Sequence, residues 1–138
     1  MQTRKEKHGW LLVLQRGEEI KSAVSGWAKR EGIVGAQVWG IGAVKEVELA
    51  YYEVGRKKWV NRKFPGDYEL LSCIGSISED GLHAHLSMSN ADFIARGGHL
   101  VSAKIAVFGE FFVLSNGFVG RELDSALGLR GIDLKKKQ

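Results

Sequence analysis

Apolar and polar positions follow two rhythms along this chain. Across residues 18–31, Ile20, Ala23, Val24, Trp27 and Ala28 recur at spacings of three and four, which places them on one stripe of an α-helix. Glu18 and Glu19 stand in the expected first turn, Lys29 and Arg30 in the last, and Gly32 follows as a stop. That order complements the helix dipole and its C-cap. Elsewhere the apolar runs are short and β-branched or aromatic. Residues 10–14 read as a buried strand ending at Arg16-Gly17. Further strands are expected over 33–44, 47–54, 59–64, 68–77, 82–88, 100–108 and 110–114, the first of them bent by its glycines. One early helix followed by consecutive strands predicts an α/β chain of the α+β type, a mostly antiparallel sheet with that helix packed on it. No repeat or low-complexity linker interrupts the pattern, so residues 1–138 read as a single domain with short charged termini.

Composition supports strands over helices. Glycine occurs 18 times and proline once, at Pro65, as suits tight turns and bulges between strands that need their backbone donors. Apolar residues make up 44% and charged residues 26% of the chain, a globular and not a disordered balance. The net charge of +4 falls short of a dedicated nucleic-acid binder. The lone Cys73 forbids an internal disulfide and fits a reducing compartment. Glu110 breaks the longest apolar run, and residues 10–14 are too short for a signal peptide. Both observations lead us to expect a cytoplasmic protein without membrane contact.

Three of the four histidines fall between positions 83 and 99. In a strand over 82–88, His83, His85 and Ser87 share one face, while Ala84, Leu86 and Met88 share the other. The apolar set belongs in the core, leaving two imidazoles side by side. His99 follows Gly97-Gly98, a pair expected to let its loop press against the sheet and bring a third nitrogen. Three neutral imidazoles with one open position suit zinc. Cys73, Glu69 and Asp92 are candidate fourth ligands, and His8 is expected in solvent. The alternative is that the histidines are surface or interface groups hydrogen-bonded to a neighbour. Ser89 and Asn90 stand where the His-x-His motif of cupins requires a glutamate, and no zincin, Walker or nucleophile-elbow motif is present.

Several segments, taken in order, resemble one family. The run Tyr68-Glu69-Leu70-Leu71-Ser72-Cys73-Ile74-Gly75-Ser76-Ile77, then His83-Ala84-His85-Leu86, then Gly97-Gly98-His99-Leu100 is similar to the PPC (plants-and-prokaryotes-conserved) domain. This domain occurs alone in prokaryotes and behind AT-hooks in plant nuclear proteins. Arg16-Gly17-Glu18, Gly40-Ile41-Gly42-Ala43-Val44, Arg121-Glu122-Leu123-Asp124 and Gly128-Leu129 extend the likeness to about residues 10–129. The resemblance implies a compact, largely antiparallel α/β domain assembling as a homotrimer. It also implies a metal, commonly taken as zinc, held near the subunit interface by His83, His85 and His99. Single-domain prokaryotic members are predicted to bind DNA; in plant members the AT-hook grips DNA and the PPC domain supplies trimerisation. No Arg-Gly-Arg-Pro hook core occurs here. The family's Gly-Asn-Ile is Gly75-Ser76-Ile77, and Asp67 reverses the charge of an arginine in the plant partner-binding stretch.

More than half of the 20 basic residues fall in three short segments. These are Arg4, Lys5 and Lys7; Arg56, Lys57, Lys58, Arg62 and Lys63, interleaved with Trp59; and Lys135, Lys136 and Lys137. The middle segment is the candidate nucleic-acid contact, its cations for phosphates and Trp59 for stacking; a charged hairpin that merely discourages edge pairing is the alternative. A trimer would triple its charge. With no recognition helix, binding is expected to be weak, salt-sensitive and sequence-tolerant. Three functional readings stay open: a trimeric DNA-associated or regulatory module; a metal-dependent enzyme or small-ligand binder, with Glu69 as base and Arg16 and Arg121 anchoring an anion; and a metal-free scaffold.

Overall fold

The computed structural model describes residues 1–115 and 117–137. The chain runs β1 (Gln2–Glu6), β2 (Gly9–Gln15), α1 (Ile20–Arg30), β3 (Ala36–Glu53), a 3₁₀ turn (Val54–Arg56), β4 (Lys58–Ser78), β5 (Gly81–Ser89), β6 (Ala95–Ser115), β7 (Gly120–Asp124) and β8 (Leu129–Asp133). Six strands form one sheet in the order β1-β2-β6-β3-β4-β5, and β5 also pairs with β6, so the sheet closes on itself; β7 and β8 form a separate ribbon. Every strand pairing is antiparallel. The mostly antiparallel sheet with one helix is the architecture the sequence pattern predicts.

Helix α1 forms where the apolar stripe lies, burying Ile20, Val24, Trp27 and Ala28 against β5 and β6. Its start differs from expectation. Glu19 is the N-cap, its carboxylate accepting from the backbone N–H groups of Lys21 and Ser22 at 3.0 and 2.7 Å, a cap role that satisfies otherwise orphaned donors. Glu18 precedes the helix and pairs with the N-terminal ammonium at 2.8 Å. The Ser25 hydroxyl accepts from the Leu82 backbone N–H at 2.9 Å, tying the helix to β5.

The strands are longer than the pattern suggests. Segments expected as six separate strands (33–44 and 47–54, 59–64 and 68–77, 100–108 and 110–114) join into β3, β4 and β6, of 18, 21 and 21 residues. Bulges provide the reason. The β3–β4 register shifts at Gly40/Gly42 and Lys45/Val47, with Glu46 at φ 49°, so polar punctuation bends a strand without ending its ladder. Strands β1, β7 and β8 have no apolar period to announce them. β1 is exposed throughout and pairs with β2, as suits a charged edge strand.

Leu12, Leu14, Val38, Val44, Cys73, Ala84, Leu86, Met88, Leu100, Ile105 and Phe111 fill the core with the helix stripe. On the opposite face Leu11, Phe112, Trp39, Ile74 and His85 stand in register across β2, β6, β3, β4 and β5. Trp39 and Phe112 stack there, with ring centroids 5.7 Å apart, and both remain exposed with Ile74. No described helix is long and apolar enough to cross a membrane.

Candidate metal centre

Strand alternation and sheet register together build the site. His83 and His85 project from one face of β5, and the β6 residue paired with His85 is His99. Ring centroids are 5.7 Å apart for His83–His85, 5.6 Å for His85–His99 and 5.0 Å for His83–His99. One ligand nitrogen from each lies within 4.8 Å of the other two. His99 arrives on a strand and not on the expected loop. Gly97 and Gly98 are ladder residues opposite Ser87 and Leu86, and β6 is confined between β5 and β3 there. A Cβ on Gly97 would stand 2.8 Å from the Leu86 carbonyl oxygen, and one on Gly98 3.1 Å from that of Ala50. The diglycine therefore narrows the ladder that carries His99.

His83 and His99 are half-buried and His85 is exposed. Burial is the largest influence lowering the His99 pKa, to about 4, with His83, His85 and Lys21 adding repulsion. Burial also leads in lowering that of His83, followed by the charges of Arg121, His85 and Lys21. Neutral imidazole is the metal-binding form. The buried Nδ1 of His99 has no hydrogen-bond partner among the described residues, and a buried nitrogen without a partner is costly. This donor set fits a metal ion. His83, His85 and His99 would hold it, and the bound ion would supply Lewis acidity at a position the three leave open.

The histidines line a cavity of about 710 Å³ with Lys21, Ala50, Tyr52, Trp59, Leu82, Arg121 and Leu129. Trp59 borders this wall, its ring centroid 4.8 Å from that of His99 and 5.1 Å from that of Tyr52, while 41% of it remains exposed. The cations around it, Arg56, Lys57, Lys58, Arg62 and Lys63, are exposed at the tip and stem of the β3–β4 hairpin, with Arg56 paired to Glu53 at 3.3 Å. Of the expected anion anchors, only Arg121 reaches the histidines. Its Nη2 donates to Ser76 at 2.9 Å, its Nε to Ser78 at 3.2 Å and its Nη1 to the Arg130 carbonyl at 3.2 Å.

Arg16 and Glu69 line another depression, with Tyr68 and Phe93. Glu69 pairs with Ser89, the end of β5 remote from His83, so it is not placed to act as the expected base. Cys73 is buried in the core, its thiol pushed up to about 12 by burial. Asp92 lies in the β5–β6 turn, accepting from Asn90 Nδ2 at 3.2 Å. Neither they nor Glu69 joins the three histidines within ligand distance. His8 is exposed. Lys21 escaped the sequence reading because it sits in a helix read for its apolar stripe; no spacing connects it to position 83.

Comparison with known proteins bears on the fold and the family. The family model for the Plants and Prokaryotes Conserved (PCC) domain matches residues 1–116. A candidate DNA-binding protein from Bacteroides thetaiotaomicron is similar in structure with a TM-score of 0.92 at 26% identity, covering 98% of each chain. A plant- and prokaryote-conserved (PPC) protein from Pyrococcus horikoshii superimposes with a TM-score of 0.78 at 31% identity, over 92% of this chain and 88% of the other. A metal-containing protein from Archaeoglobus fulgidus gives 0.80 at 29% identity, over 88% and 89%. No curated protein matches the chain. A closed antiparallel sheet, a histidine trio set by its register and a family match over most of the chain lead to one assignment: the chain belongs to the Plants and Prokaryotes Conserved (PCC) domain family.

Proposed function

We propose that this protein is a zinc-binding, homotrimeric, DNA-associated regulatory module of the cytoplasm, its metal held by His83, His85 and His99. The observation that carries the reading is the convergence of three imidazoles within 4.8 Å, one of them with a buried nitrogen lacking any partner. The all-nitrogen donor set favours zinc over calcium or magnesium, which take oxygen ligands. A regulatory role is preferred to catalysis because, among the described residues, the cavity holds no uncommitted carboxylate. Asp80, the one carboxylate among its described lining residues, is paired with Arg130 at 2.7 Å.

The homotrimer is supported by the exposed in-register row of Phe112, Trp39 and Ile74, an apolar strip of the kind that marks protein interfaces. That row ends at His85, so subunit contact there would border the metal. DNA association draws on two similar structures described as candidate DNA-binding proteins and on the exposed cations of the β3–β4 hairpin.

Elemental analysis of protein purified without a His tag is expected to find one zinc per chain, lost in His83→Ala/His99→Ala. Metal-free wild-type protein that takes up no added zinc would overturn the metal reading. A random duplex is expected to bind at low salt with a steep salt dependence, and Lys57→Ala/Lys58→Ala to lower the slope of log affinity against log salt by about 2. No binding at low salt would end the DNA part, and a sedimenting monomer the trimer.

A further inference from the structure

We propose that the cavity beside the histidines receives a small organic dicarboxylate, one carboxylate at the metal's open position and the other paired with Arg121 and Lys21. The metal half rests on the function proposed above; the Arg121 half does not.

Arg121 is only 6% exposed, yet among the described residues no carboxylate lies within 4.0 Å of its guanidinium. Nearby acids are committed elsewhere. Asp80 and Glu79 pair with the more exposed Arg130 at 2.7 and 3.7 Å, and Glu79 also pairs with Lys136. Toward Arg121, Glu79 accepts only the backbone N–H, at 3.2 Å. A buried charge normally has a charged partner, because desolvation is costly. Two serine hydroxyls and one carbonyl orient the guanidinium without neutralising it. They engage three of its five N–H groups and leave one on each terminal nitrogen to donate to an anion.

Lys21 is the second uncompensated cation: it makes no ion pair among the described residues and lines the same cavity. Both cations line the cavity together with His83. Lys21, Arg121 and Arg130 against Asp80 leave an excess of two positive charges in the described lining before any metal binds. A bound zinc ion would raise that excess to four, and a dianion would offset half of it. Tyr52, Trp59, Leu82 and Leu129 form an apolar stretch of wall, which a carbon linker covers and a compact inorganic anion does not. The volume of about 710 Å³ is of the size that small organic ligands occupy.

Titration calorimetry with succinate, butyrate and inorganic phosphate tests this, on zinc-loaded and chelator-stripped wild type, Lys21→Gln and Arg121→Lys, with zinc content and circular dichroism recorded for each. Succinate is expected to bind the loaded wild type at least about tenfold more tightly than butyrate or phosphate. Stripping the zinc is expected to weaken succinate binding about tenfold or more. Each substitution is expected to do the same with zinc retained and the fold intact. Lys21→Gln is on the helix surface and remains informative if the buried Arg121→Lys fails to fold. Succinate binding no tighter than butyrate, indifferent to zinc, or unchanged in the folded variants would overturn the proposal. Should the protein take up no zinc, the metal reading fails separately. The Arg121 half then stands if stripped protein binds succinate and loses it in Arg121→Lys or, should that variant not fold, in Lys21→Gln, and falls if it binds none.

Discussion

Replacing Gly75 with alanine probes how closely sheet register and the metal centre are coupled. Gly75 of β4 faces Ala84 of β5, one residue along from His83. A Cβ at Gly75 would stand 2.1 Å from the His83 carbonyl oxygen and 2.7 Å from Ala84 Cα, where real Cβ contacts stay above 3.0 Å. Both obstacles are backbone, so no rotamer relieves them; β4 and β5 must part by close to an ångström, and the strand that moves carries His83. Overpacking costs about 1–3 kcal/mol, and the upper part of that range applies because ladder hydrogen bonds give way. Metal–ligand distances tolerate only about 0.2 Å, so zinc affinity should fall by about tenfold or more. Urea unfolding of metal-free protein, followed by circular dichroism, measures the first effect, and competition with a chromophoric chelator the second. Gly131→Ala is the control: a Cβ there meets nothing within 4 Å, and such surface changes stay within about 0.5 kcal/mol. A Gly75→Ala protein as stable as that control, with unchanged zinc affinity, would refute the reasoning.

Acid should destabilise the metal-free protein through His99. Its pKa falls from the ordinary 6.5 to about 4 in the folded state, so nothing is lost above pH 6.5. Between pH 6.5 and about 4 the unfolded chain takes up a proton that the native one refuses, and stability declines as pH falls. Discounted for partial solvent access, the loss is about 2 kcal/mol. His99→Gln should flatten this part of the curve of urea midpoint against pH, and parallel curves would contradict the assignment. Cys73, buried with its thiol pushed up to about 12, should resist a thiol reagent at pH 8 and react once per chain in urea; rapid native labelling would contradict its place in the core. Phe111, 1% exposed beneath the sheet, should cost about 3–5 kcal/mol as Phe111→Ala. A loss below about 1 kcal/mol in denaturant unfolding would show that its cavity collapses or that the core lies elsewhere.

The helix and the histidine pair were legible because each depends on local periodicity. Ile20, Val24, Trp27 and Ala28 mark a face by spacing alone, and period-two alternation puts His83 and His85 together whatever the rest of the chain does. His99 was legible as a candidate but not by its route, because the pairing of position 85 with 99 is a register decided by the closure of the sheet. The same blindness explains Arg16 and Glu69, plausible as site residues by chemistry yet carried by register to another depression. Strand lengths were misread where bulges at Gly40/Gly42 and Lys45/Val47 imitate turns. β1 escaped notice because an all-polar segment becomes a strand only when β2 supplies its partner.

The atoms that surround the metal decide whether the three histidines hold it. X-ray absorption at the zinc edge on tag-free, zinc-loaded protein should show three imidazole nitrogens and one further light atom at about 2.0–2.1 Å, with the imidazole signal disappearing in His83→Ala/His99→Ala. A shell containing sulfur at about 2.3 Å, or zinc retained unchanged by that double variant, would contradict it.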